Sequence, residues 1–394
     1  MKTTWIVALS ALVGSASSVT LLGACAATEA DGTPGEPTGP SPLPDPDAGL
    51  EASRADADAD AEPCTPDVLC PAGPFTPGTP GGAFDPRTRI NVIRGRSEND
   101  VWAAGARGAV AHFDGTTWRR SDIGSKDSLS AFWVRDSGEV GLSSFFAMYS
   151  RGVVPSQDAG PASPDGWIDN GAATVPPELL SDSRLTSVWS FPGSEWAFCS
   201  SIETAIDPTV ISNPDVNGLW RLRYDAAAQT FEVAWALPRG TCTTLGCRQM
   251  TSIHGLSADD FWAVGYTGAV VHVTNALSDS PTVVPFDSQT WAGLGGVWVA
   301  SGDDVWAVGG AGTIRRYTGQ PYMLDVVDGV PATEDLNAVW GTGPNDIWAV
   351  GDAATVLHYD GTAWSRVKVV GLGQRRPDLY SVWASGPGRV WIGG

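Results

Sequence analysis

The chain has 394 residues, 42% of them hydrophobic, with 18 tryptophans and a formal net charge of −20. That is ample apolar material for a core, and the acidic balance argues against nucleic acid or an anionic membrane face as a partner. The charge is uneven: residues 26–86 hold twelve acids against Arg54 alone, whereas residues 87–394 hold 32 acids and 22 bases.

Residues 1–25 form the first predicted element. Lys2 precedes an apolar run from Trp5 to Leu22, which ends in Leu22-Gly23-Ala24-Cys25. A short apolar core closed by small residues predicts a cleaved export signal rather than a spanning helix. The ending resembles the lipobox of bacterial lipoproteins, which implies that Cys25 becomes the N-terminus and carries lipid. Ala26 follows it in place of Asp. By resemblance to Gram-negative lipoproteins this implies an exported protein, lipid-anchored at the outer membrane or held at the cell surface or in the periplasm. Residues 26–86 are rich in Pro, Gly, Ala and Asp, with the run Ala55-Asp56-Ala57-Asp58-Ala59-Asp60. Such a stretch buries too little apolar surface to order itself, so it is predicted to be an acidic disordered linker.

From residue 87 onward the chain repeats. The fullest copy, Leu336–Trp364, contains Trp340, Asp346, Trp348, Gly351 and His358 in fixed spacing. The second-Trp column reads Trp102, Gly141, Trp196, Trp262, Trp306, Trp348 and Trp391. The residue eight before it reads Arg94, Trp133, Val188, His254, Trp298, Trp340 and Trp383, with Trp189 taking that place in the third copy at a spacing of seven. A period of about 40–45 residues, each unit holding short alternating strands and turn signals, is the pattern of a β-propeller blade. The expected fold is therefore all-β, with four-stranded blades and almost no helix. The blades are placed at 87–128, 129–184, 185–248, 249–292, 293–334 and 335–377, with insertions near 154–183 and 201–217. A seventh starts at Asp378, and Gly394 falls in the glycine column of Gly105, Gly265, Gly309 and Gly351. A half blade is thus in view. Either the N-terminal side supplies its outer strands or the recorded sequence is truncated. Residues 68–86 are full of Pro and Gly and make poor strands, which favours the second account. Seven blades are expected, with six or eight as alternatives.

Asp-Gly-Thr-Thr-Trp at 114–118 and Asp-Gly-Thr-Ala-Trp at 360–364 resemble degenerate Asp-boxes. That motif marks sialidase-like (BNR-repeat) propellers and the related photosystem assembly-factor-like family. The resemblance covers about residues 87–394 and implies the fold, because Asp-boxes are structural and lie on the ring's periphery. Shared fold does not carry shared chemistry.

No catalytic, cofactor-binding or metal-binding set emerges. His112, His272 and His358 occupy one repeated column, with Arg316 in the same place in blade five, so they read as packing residues. His254 sits in a column otherwise filled largely by Trp and reads as a core-edge residue. The Arg-Ile-Pro motif of sialidases is missing, Arg89-Ile90-Asn91 being a near miss. A glycosidase needs only two positioned carboxylates, which sequence neither finds nor excludes. The in-frame tryptophans read as core. Trp167 and Trp220, in or beside the insertions, are the candidate ligand-loop residues. Cysteine usage fits an oxidising compartment, with Cys64 and Cys70, and Cys242 and Cys247, spaced for short disulfides, and Cys199 buried and unpaired.

The expected function is that of a lipid-anchored envelope propeller, monomeric, presenting its loops or channel mouth to a protein or glycan as a non-catalytic binding or assembly module. The alternative is a glycan-active hydrolase of sialidase-like fold.

Overall fold

The structure, a computed structural model, describes residues 68–76, 78–155, 159–175, 183–203, 218–235, 241–247, 249–372 and 374–394. These form six four-stranded antiparallel sheets and one two-stranded sheet, each a simple meander in which consecutive strands pair. The innermost strands neighbour one another in a closed ring. They are Ile90–Ser97, Ala131–Arg135, Ser183–Trp189, Met250–Ser257, Leu294–Ser301, Leu336–Gly343 and Ser381–Gly386. The expected all-β propeller is therefore present, with six four-stranded blades and a two-stranded seventh around one axis among the described residues. The described helical structure is slight: a five-residue α-helix at Thr241–Leu245 and single 3-10 turns.

The strand pattern follows from the sequence. In a second strand such as Asp346–Gly351 or Asp304–Gly309, the residues after the leading Asp are apolar without alternation because blades pack on both faces. The glycine that ends it is dictated by close approach rather than by backbone strain. Gly105 and Gly351 are extended, at φ −170° and −164°. A Cβ at either would lie 2.0 Å from the carbonyl oxygen of Arg89 or Asp335, just before the inner strand. Gly394 has the same environment, 2.1 Å from the Asp378 carbonyl, so it does occupy this column.

Neighbouring inner strands are fastened by side chains. Asn91 Nδ2 donates to the Leu129 carbonyl (2.8 Å), Thr186 Oγ1 to that of Met250 (2.8 Å) and Asn337 Nδ2 to that of Leu379 (3.0 Å). The ring closes between blades seven and one in the same manner. Ile93 N–H donates to Ser381 Oγ (2.8 Å), and Ile90 N–H donates to the Gly394 carbonyl (3.2 Å).

Two expectations about boundaries change. The expected linker does not run to residue 86, because Leu69 bridges Val369 of blade six and Phe84, 6% exposed, packs on blade one beside Trp118. Described residues between 68 and 84 thus reach from the outer side of blade six to that of blade one, past the two-stranded blade seven. They do so as coil with one isolated bridge, in keeping with their Pro and Gly content. The repeat frame also slips in two blades. In blade two Trp133 pairs with Val140, so Gly141 faces Phe132. In blade three Trp189 pairs with Phe198, so Phe198 rather than Trp196 fills the column, and Ser201 rather than Cys199 faces Leu185 where other blades place glycine. Trp196 lies instead beneath the guanidinium groups of Arg221 (4.7 Å) and Arg223 (5.2 Å).

Candidate functional site: the axial channel

The repeated histidines do not converge. In each case the ring stacks on the second-strand Trp of its own blade and donates Nε2–H to the Asp two residues before that Trp. His112, His272 and His358 lie 4.3, 4.5 and 4.3 Å from Trp102, Trp262 and Trp348. Each Nε2 is 2.8 Å from Asp100, Asp260 or Asp346. The His112 bond, ahead of the Arg96 ion pair, holds the Asp100 carboxyl down at about 2 against the cost of its burial. Arg316 does the same work in blade five, gripping both oxygens of Asp304 and lying over Trp306. Each trio ties the second and third strands of one blade together. No group of three or more His, Cys, Asp or Glu side chains stands in metal-binding geometry among the described residues.

Trp167 and Trp220 are not ligand platforms. Trp167 is 1% exposed and its indole N–H donates to Ser121 Oγ (2.8 Å); Trp220 is 2% exposed and donates to Ser201 Oγ (2.7 Å). The chain around them forms regular blade structure: Ile168–Gly171 is the outer strand of blade two, and Leu219–Asp225 is the third strand of blade three. Both rings therefore fill the space between neighbouring blades and offer no free face. Cys242 and Cys247 form a disulfide beside the short helix, and Cys70 is disulfide-bonded. Cys199 is buried and free, and burial in an apolar setting pushes its thiol pKa up. Cys25 and Cys64 lie outside the described residues.

The concave feature that all blades build is the axial channel. At one face it opens as a funnel of about 930 Å³. Its walls carry small polar groups, among them Ser128, Ser130, Ser143 and Thr251, and the charged Arg89, Arg184 and Asp335. Arg89 lies 3.4 Å over the Tyr380 ring, and Asp335 accepts the Ala311 N–H (2.8 Å). Tyr266, 47% exposed, lines the funnel, and Trp291, 89% exposed, stands two residues before the lining Gly293. Trp291 is also off the repeat frame; the signal was present in the sequence, but outside the two insertions.

Asn91, Ser130, Thr186, Thr251, Gly295, Asn337 and Tyr380 line both the funnel and a narrower cavity of about 100 Å³ below it. The floor of that cavity is the inner-strand column. Where the next blade offers glycine, the column tryptophan lies flat on it. Cβ atoms at Gly95, Gly255 and Gly341 would come within 2.5–2.8 Å of Trp383, Trp189 and Trp298. Blade seven has Ala384 at this place, and Trp340 instead donates its indole N–H to the Ala384 carbonyl (3.1 Å), its ring touching Arg94 and His254. The Arg94 guanidinium lies 5.3 Å over the ring, and the His254 ring meets it edge-on at 5.2 Å.

Arg94 and His254 are surrounded by protein, yet part of each side chain still faces the water of the channel. Burial pulls the Arg94 pKa down to about 10. Burial, reinforced by the nearby Arg94 charge, pulls that of His254 down to about 3, so it is neutral at pH 7. Its Nδ1 accepts the Val299 N–H (3.1 Å), which leaves the proton on Nε2. Arg94 donates Nη1 to the Ile93 carbonyl (2.8 Å) and forms no ion pair among the described residues. A desolvated guanidinium costs several kcal/mol, whereas stacking on an indole returns about 0.5–2 kcal/mol. The balance leaves an undercompensated cation on the axis of an acidic protein.

No protein family matches the chain, and no curated protein does. Among solved structures, YCF48 from Cyanidioschyzon merolae is similar at 14% identity and a TM-score of 0.55, over 78% of this chain and 93% of that one. YCF48 bound to D1 peptide is similar at 13% identity and 0.54, over 81% and 96%. The WD40 β-propeller domain of Doa1 is similar at 10% identity and 0.51, over 78% and 90%. At these identities the likeness establishes the fold, and it places the chain among all-β propellers.

Proposed function

We propose that this protein is a lipid-anchored envelope propeller acting as a non-catalytic binding or assembly module, which receives a segment of a protein partner at the mouth of its funnel. The observation that carries this reading is the funnel itself: about 930 Å³, lined largely by short polar side chains, with the exposed Tyr266 in its wall and the exposed Trp291 two residues from the lining Gly293. Exposed aromatics around a polar concavity are the usual anchors of a recognition surface. YCF48, similar in fold, is known bound to a D1 peptide, which supports a polypeptide ligand. The anchor rests on the Leu22-Gly23-Ala24-Cys25 ending and the acidic stretch after it. A glycan remains a ligand class for the same rim. The hydrolase reading gains no support from the funnel, where Asp335 is the single lining carboxylate among the described residues and the reaction requires two.

The test is site-specific photo-crosslinking in intact cells of the native host, with the photoreactive residue placed at Trp291, at Arg184 or at Ser365 on the outer strand of blade six. A partner captured from the first two positions and not from the third is expected. Equal capture from all three, or capture from Ser365 alone, would place recognition on the perimeter and overturn the reading. The Cys25→Ala variant should lose membrane fractionation; retention in the membrane fraction would remove the anchor.

A further inference from the structure

We propose that the floor of the axial channel is a carboxylate-binding site, in which Arg94 supplies the charge, His254 Nε2–H a second donor and Trp340 the wall. It deepens the proposed function and rests on the same channel, but on different residues from the rim.

Three observations carry it. First, donors outnumber acceptors at the floor. Arg94 keeps guanidinium N–H groups beyond the one bonded to Ile93, and no acceptor among the described residues meets His254 Nε2, while Trp340 Nε1 is already bonded to Ala384. Second, among the described residues the cavity that Arg94 and His254 line holds no acidic side chain. Residues 87–394 carry an excess of acids, so the axis has the opposite sign to the body around it. Low-dielectric walls of that sign focus an anion inward. Third, the charge count selects the ligand class. One guanidinium beside a neutral imidazole balances a single negative charge, which suits a carboxylate better than a phosphate dianion, and the planar fork of Arg matches the two oxygens of a carboxylate. About 100 Å³ accommodates such a head group with some water.

Geometry limits how the carboxylate arrives. Arg94 lies three residues beyond Asn91 along the inner strand, which places it about 10 Å below the funnel wall. A surface Asp or Glu side chain of a docked partner is too short to reach it. The two sources that fit are a free small carboxylate and the C-terminal carboxylate of a polypeptide threaded from the funnel.

The experiment uses the full chain in chloride-free buffer, with [1-13C]acetate as the probe and NMR line broadening as the readout. Two competitors follow: a short uncharged peptide with a free C-terminal carboxylate, and the same peptide amidated. Saturable acetate binding is expected, weakened at least about tenfold in Arg94→Met and partly retained in Arg94→Lys. Displacement of acetate by the free-acid peptide and not by the amide assigns the site to a polypeptide terminus; acetate binding that neither peptide displaces assigns it to a small molecule. Absence of saturable binding to the wild type, or binding unchanged in both Arg94 variants, would overturn the proposal. Should Arg94→Met fail to fold, His254→Gln and Arg94→Lys provide the comparison. Crosslinking at Trp291 is read separately: its loss with acetate binding intact rejects the rim, and the reverse rejects the floor.

Discussion

The junction between blades five and six and the junction between blades six and seven start from the same sequence and end differently. Trp306, on the second strand of blade five, is 1% exposed, because Tyr359 (4.9 Å) and Trp364 (5.6 Å) of the third and fourth strands of blade six close over it. Trp348, in the equivalent place in blade six, stacks on His358 but remains half-buried, and it lines a shallow surface groove with Thr342, Asp346 and Pro387. The described part of blade seven has two strands and brings no third- or fourth-strand aromatic to this place. Burial of the repeated Trp is thus a property of two adjacent blades, and the strand that carries the Trp does not determine it alone.

The largest predicted effect breaks this contrast most directly. Trp306→Ala should cost about 3–5 kcal/mol in chemical denaturation, through lost transfer energy and the cavity left behind. Trp348→Ala should cost only roughly 1–2 kcal/mol, since a half-exposed ring surrenders part of that term. Equal losses would show that Trp348 is covered in solution.

An acid titration sharpens the same contrast along the inner ring. The junction of blades four and five is fastened through His254 Nδ1, whereas that of blades seven and one is fastened through the hydroxyl of Ser381. The folded His254 pKa of about 3 lies below the value near 6.5 of an unfolded chain. The unfolded state therefore takes up the proton first, and stability attributable to this group falls as pH drops from about 6.5 toward 3, by at most about 1.4 kcal/mol per pH unit. It is unaffected above that window. Burial sets the sign, and the charge of the neighbouring Arg94, which stays protonated throughout, reinforces it. His254→Gln should flatten this component of the stability profile, measured by urea midpoints between pH 7 and 4; an unchanged slope would mean that His254 titrates normally.

The smallest effect compares the turns after the second strand. Blades one, four and five place Gly108, Gly268 and Gly312 at φ 67–73°, but blade six places Ala354 at φ 59°. Ala354→Gly should therefore be neutral to stabilising by up to about 1 kcal/mol, relief of the left-handed strain being set against the added freedom of the unfolded chain. A clear loss of stability would mean that the methyl group packs.

The architecture was legible because the repeat is written in residues whose reasons are steric. The spacing of Trp262, Trp306, Trp348 and Trp391 marks the second strands, and the glycine column marks where an inner strand's carbonyl leaves no room for Cβ. The registers of blades two and three were not legible, since a slip of one residue in blade two and of two in blade three changes which side chain faces which while leaving the apolar content intact. Trp167 and Trp220 looked peripheral only because their strands are irregular in sequence; their burial depends on Ser121 and Ser201, which no spacing links to them. The channel floor was half-visible. Arg94 and His254 stood out as polar residues in an aromatic column, and reading that column as a floor requires knowing that its members meet at one axis, which comes from ring closure and not from periodicity.

The segment between Leu69 and Phe84 also has a mechanical consequence. Its backbone engages blade six through the Lys368 carbonyl and the Val370 N–H, and its two phenylalanines lie against blade one near Trp118. Force applied to the chain from its N-terminal side therefore enters through contacts on both flanks of blade seven before it reaches Ile90, the strand that closes the ring. A pull is shared as shear between the two flanking blades, and the seam between first and last inner strands is shielded from being peeled open one hydrogen bond at a time.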